Sequence, residues 1–169
     1  RFDRRSVRQG DPRRYALILL SNAVGGGTSS RLFQRVREDL GLAYAVFTFQ
    51  SFYRTGGTLG VYVGTRPEWS DRAVEVIRDE LGRVARDGLT GPELADAKGQ
   101  VKGQMVLDLE SPGGRLARLA MQELYDEPWR SVDELIARID AVTLDDIAEV
   151  AAEHLDPERW LSVRLGPAH

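Results

Sequence analysis

The chain has 169 residues, 42% of them apolar and 29% charged, with a formal net charge of −3. That composition supports one ordinary globular domain with a real core, and it excludes intrinsic disorder, a bilayer-spanning helix and a global positive field for nucleic acid. There are no cysteines. Disulfides, thiolate zinc sites and thiol nucleophiles are therefore excluded, and a reducing compartment fits, so a cytoplasmic location is the expectation. Of the 23 basic residues only Lys98 and Lys102 are lysine, and six arginines fall within residues 1–14. We read that run as a solvated N-terminus rather than a phosphate-binding arm.

In chain order, Asp11-Pro12 reads as a helix start, and the helix runs to about Val24, where Gly25, Gly26 and Gly27 stop it. Thr28, Ser29 and Ser30 cap a second helix whose Leu32, Phe33, Val36 and Leu40 form one stripe, and Gly41 is a natural left-handed stop. The period then changes to two. Residues 43–54 set Ala43, Ala45, Phe47, Phe49 and Tyr53 on one face, and residues 58–65 set Leu59, Val61 and Val63 on one face. The segment from Arg54 to Gly57 is turn chemistry, so an antiparallel hairpin is expected. Its other face would carry Tyr44, Val46, Thr48, Gln50 and Phe52 with Thr58, Gly60, Tyr62 and Gly64, a half-polar surface open to a binding partner.

The remainder is mostly helical. Helices are expected over 69–86, from the Thr90–Glu93 capping box to about Leu109, from Ser111-Pro112 to about Tyr125, from the Ser131–Glu134 capping box to Ile139, and from Thr143 to His154. Residues 159–165 read as a closing strand. Few strands and no βαβ rhythm give an α+β class, an antiparallel sheet with helices packed on one face.

Recognisable catalytic motifs are few. Val150-Ala-Ala-Glu153-His154 has the length of an HxxEH zinc helix, with valine where the first histidine must stand, so no metal site is expected in the chain. His169 is the only other histidine. The Gly25–Ser30 run is neither a Walker loop nor GxGxxG, and it reads as a helix–helix turn or a loop against an extended peptide.

The run from Asn22 to Phe49, followed by Thr55–Thr65, resembles the C-terminal domain of insulinase/pitrilysin-type zinc metallopeptidases, nearest the mitochondrial-processing-peptidase branch and its small bacterial relatives. Lys98–Gly103, Leu109-Glu-Ser111, Ala141–Asp146 and Leu165-Gly-Pro167 fit as well, so the resemblance covers residues 11–167. Residues 1–10 do not match it and are read as a truncated or linker N-terminus, with residues 11–169 a single non-zinc domain.

The resemblance implies that zinc and its HxxEH helix belong to a preceding domain or partner subunit. It further implies an extended peptide substrate, a dimer in the parent protein, and no activity of this chain alone. It carries an arginine and a tyrosine seven residues apart onto Arg37 and Tyr44, which would touch the substrate, and it carries substrate contact onto Gly25, Gly26 and Gly27. On spacing alone a second reading stays open, in which Arg37 packs its stem along the Leu32/Phe33/Val36 stripe. A zinc-free, non-catalytic subunit acting in protein–protein assembly is the alternative for the whole.

Overall fold

The computed structural model describes residues 2–166, so the expectations for Pro167 and His169 lie outside the described residues. A four-stranded antiparallel sheet has the order β2-β3-β1-β4, with β1 at Phe2–Ser6, β2 at Ala43–Phe52, β3 at Gly57–Thr65 and β4 at Leu161–Ser162. Among the described residues six α-helices accompany it: α1 (Arg14–Gly25), α2 (Ser70–Asp87), α3 (Gly91–Glu110), α4 (Pro112–Leu124), α5 (Val132–Asp140) and α6 (Leu144–His154). The class is α+β, as expected.

Helix α1 is the hub. Leu17, Leu19 and Leu20 are fully buried, and the helix packs between β2 on one side and α3 and α6 on the other. Each such leucine contributes roughly 1.5–3 kcal/mol of burial. Helix α2 lies on α6 and contributes Ile77, Leu81 and Val84 to the same core. Local capping chemistry fixes the helix starts. Thr90, Ser131 and Thr143 each accept from the backbone N–H three residues on, while the acidic side chain there reaches back to the cap.

Three expectations need correction. The segment read as a truncated or linker N-terminus holds β1, which pairs with β3 from Phe2↔Val61 to Ser6↔Gly57 and also borders β4. Its arginine-rich sequence lacks an apolar alternation, and the ladder to β3 supplies the order that the pattern does not. The second helix is α-helical only at its first residues and continues as a π-helix over Phe33–Asp39. Last, the phase of β2 is reversed. Ala43 pairs with Thr65 but Ala45 pairs with Gly64, so Tyr44 is an extra, bulged residue. Beyond it, Val46, Thr48, Gln50 and Phe52 pair with Val63, Val61, Leu59 and Gly57 on the face packed against the helices. Thr48 Oγ1 donates to Ser21 O and Ser21 Oγ to Gln50 Oε1, both at 2.7 Å, tying that face to α1. The β2 residues Val46, Thr48, Gln50 and Phe52, expected on the half-polar face, are therefore covered by the chain's own helix, while Tyr44 and Tyr62 stay on the other side of the sheet. The open face carries Tyr44, Phe47 and Tyr62, with Phe47 and Tyr62 stacked at 5.0 Å between ring centroids.

Candidate functional site

Arg37 and Tyr44 sit on either side of a tight connection from the π-helix into β2. Gly41 has φ +61°, Gly41 N–H donates to Arg37 O at 3.2 Å, and Leu42 N–H reaches back to Val36 O at 2.9 Å. The π-helix is a rare element that recurs at functional sites, and here it presents Arg37. The guanidinium lies over the Phe33 ring, 4.7 Å from its centroid, and its ion-pair contact is a long one, 3.9 Å to Glu38. The Arg37 side chain is 45% exposed, with one side of its guanidinium against Phe33 of the Leu32/Phe33/Val36 stripe and the other open.

Tyr44 is 69% exposed on the edge strand β2. The bulge lays its ring over Gly64, where a Cβ would come within 2.6 Å of two ring carbons and 2.9 Å of the hydroxyl. Gly64 is thus the platform for Tyr44, a role legible only once the bulge is known. No hydrogen bond or ring contact joins Arg37 to Tyr44 among the described residues; both stand open to a third body.

The three glycines divide in role. A Cβ on Gly25 would meet Thr48 backbone N at 2.7 Å, so Gly25 permits the close approach of α1 to β2. Gly26 is exposed and lines a cleft of about 530 Å³ between α1, β2, α3 and α4, and Gly27 lies beneath Gln100. Sequence reasoning missed that cleft, because its walls come from segments far apart in the chain.

Among the described residues no group of three or more His, Cys, Asp or Glu is placed to hold a metal ion. His154 is buried at the end of α6, where its carbonyl accepts from Trp160 Nε1 at 2.8 Å. The described residues do not fit zinc.

The family model described as peptidase M16 inactive domain matches residues 4–101. The chain belongs to this family. Related proteins named as uncharacterized zinc proteases include one from Streptomyces coelicolor, 45% identical over 157 residues that make up 93% of this chain and 34% of the relative. Another, from Mycobacterium tuberculosis, is 40% identical over 163 residues, 96% of this chain and 37% of the relative. The M16 inactive domain described here therefore spans about a third of the length of these relatives. Among solved structures, an M16 inactive domain from Pseudomonas fluorescens superposes with a TM-score of 0.86 at 23% identity, over 94% of this chain and 38% of that one. The solved inactive peptidase domain of a Bordetella parapertussis protein gives 0.82 at 18% identity, over 99% of this chain and 91% of that one. At these identities the structural likeness concerns the fold.

Proposed function

We propose that this M16 inactive domain assists a zinc peptidase centre held by a preceding domain or a partner subunit, by contacting an extended peptide through Arg37 and Tyr44. The observation that supports the reading is that both side chains stand exposed, on a π-helix and a bulge, with little internal structure to maintain. Such irregular elements recur at and beside functional sites. The guanidinium fork of Arg37 would clamp a peptide carbonyl or carboxylate. The Tyr44 hydroxyl would donate to a scissile carbonyl oxygen as it gains negative charge. Zinc, which the resemblance assigns to the preceding domain, supplies Lewis-acid chemistry there; the residues of this chain bind and orient.

The exposed apolar faces of the sheet and of α4 support packing against that domain and against a second copy in a dimeric parent. They equally favour the other reading, a zinc-free assembly subunit. The cytoplasmic location rests on the absence of cysteine alone.

The test is Tyr44→Phe and Arg37→Ala in the full-length protein, with peptide hydrolysis and melting temperature both measured. Loss of one oxyanion donor is expected to lower kcat by roughly 10²–10³. Arg37→Ala is expected to lower kcat/KM, and neither change should cost more than about 0.5 kcal/mol of stability. Full activity per folded molecule in both variants would sink the assignment.

A further inference from the structure

The cleft of about 530 Å³ between α1, β2 and the α3–α4 pair falls within the range of small-ligand sites, roughly 300–1,000 Å³. Ile18, Val101, Met105 and Leu109 give it apolar walls. Two charged residues line it from different helices, Asp108 on α3 and Arg118 on α4. Asp108 accepts from Gln104 Nε2 at 2.8 Å, and Arg118 donates to the carbonyl of Arg130. Among the described residues neither forms an ion pair, with the other or with any third group. The contrast with other half-buried arginines of the chain is informative. Arg14 is matched to Glu127, and Arg31 to Glu93 at 2.5 Å. An unmatched cation and an unmatched anion sharing one apolar-walled cleft are complementary to a zwitterion.

The neutral polar groups narrow the class. Gln50 lines the cleft, and its Oε1 is taken by Ser21 Oγ. Its amide N–H groups are left as donors for a carbonyl. Gln104 also lines the cleft and carries the reciprocal carbonyl acceptor. Amide partners, apolar walls and two opposite charges together match a short peptide with free ends better than a fatty acid or a nucleotide, which would leave the carboxylate of Asp108 against like charge. Gly26 borders the same cleft without a side chain to fill it.

We propose that this cleft binds a short free peptide with apolar side chains, its carboxylate held by Arg118 and its ammonium by Asp108. The proposal does not depend on the Arg37–Tyr44 reading, since neither residue lines the cleft. The experiment is calorimetric titration of the full-length protein carrying this chain with leucyl-leucine, and with N-acetyl-leucyl-leucinamide, which has the same side chains and no charges. The free dipeptide is expected to bind one-to-one with Kd below about 1 mM, and the capped one at least about tenfold more weakly. Asp108→Asn and Arg118→Met are each expected to weaken the free dipeptide by about tenfold or more. Their melting temperatures should match the parent's, since Asp108 is exposed and Arg118 only partly covered. Arg118→Lys, which keeps the charge and loses the fork, is expected to fall between. No binding of leucyl-leucine at 10 mM, equal affinity for the capped peptide, or unchanged affinity in both charge variants would overturn the proposal. Loss of peptide hydrolysis in Tyr44→Phe with dipeptide binding retained would separate this site from the other.

Discussion

Gly64 shows how a residue without a side chain can set the position of one that matters. Tyr44 lies over it because nothing projects from Gly64 on the open face of the sheet. In Gly64→Ala the added methyl would sit within 2.6 Å of the Tyr44 ring. The ring is exposed and can swing away, so the fold should survive with Tm within about 2 °C of the parent, because surface changes are usually within about 0.5 kcal/mol. If Tyr44 serves catalysis, peptide hydrolysis by the full-length protein should fall towards that of Tyr44→Phe. Unchanged hydrolysis in Gly64→Ala would mean that the ring's resting place is immaterial. Gly25→Ala should behave differently. Its methyl would meet the backbone of β2, which cannot yield without moving the strand, so it should lower Tm rather than activity per folded molecule.

At the scale of elements, signals confined to a few neighbouring residues were legible and signals set across the sheet were not. The Thr90–Glu93 and Ser131–Glu134 boxes are complete within four residues, and both helices start where those boxes stand. Gly41 takes its left-handed φ for the same local reason. The phase of β2 depends on one extra residue opposite β3, and a period-two pattern cannot carry that: Ala43 and Phe47 read as one face, yet the bulge at Tyr44 puts them on opposite sides. Strand β1 is ordered by its ladder to β3 and has no local signature. For the candidate site, the seven-residue spacing of Arg37 and Tyr44 was legible through resemblance. The platforms under them, Phe33 and Gly64, required the π-helix and the bulge.

The Thr90 box also carries a pH prediction. Arg31 Nε and Nη2 donate to Glu93 at 2.5 and 2.8 Å, joining the start of the second helical segment to α3. Hydrogen bonding from Arg31, opposed in part by burial and helped by Thr90, holds the Glu93 carboxyl down at about 2. A depressed folded value adds stability that is fully present above the unfolded value near 4.5 and is lost as pH falls towards 2. Glu93 is substantially solvent-accessible, so screening keeps the effect modest. Glu93→Gln should therefore lower Tm by about 2–4 °C at pH 7. That gap should narrow steadily between pH 4.5 and 2. A gap independent of pH would assign the loss to packing rather than to charge.

Over the whole molecule, the apolar surface is distributed unevenly. The core gathers around α1, while α4 has no buried residue and leaves Leu116, Leu119 and Leu124 at 68%, 56% and 58% exposure. Val106, Leu107 and Trp129 are exposed as well, and the open sheet face adds Tyr44, Phe47 and Tyr62. Patches of this kind mark surfaces that meet another protein. Hydrophobic attraction scales with the apolar area removed from water, so two copies of the isolated chain gain by pairing these faces even without a specific fit. Sedimentation velocity on the chain alone should show a weight-average mass that rises with concentration across the micromolar range. Leu116→Gln, Leu119→Gln and Leu124→Gln combined should return it towards the monomer, with little change in Tm because none of the three supports the core. Substituting Phe47 and Tyr62 by Thr in the same assay would weigh the sheet face against the helix face. A concentration-independent monomer in the unsubstituted chain would mean that neither face seeks a protein partner, and it would remove the support that these faces lend to packing against a zinc-bearing domain.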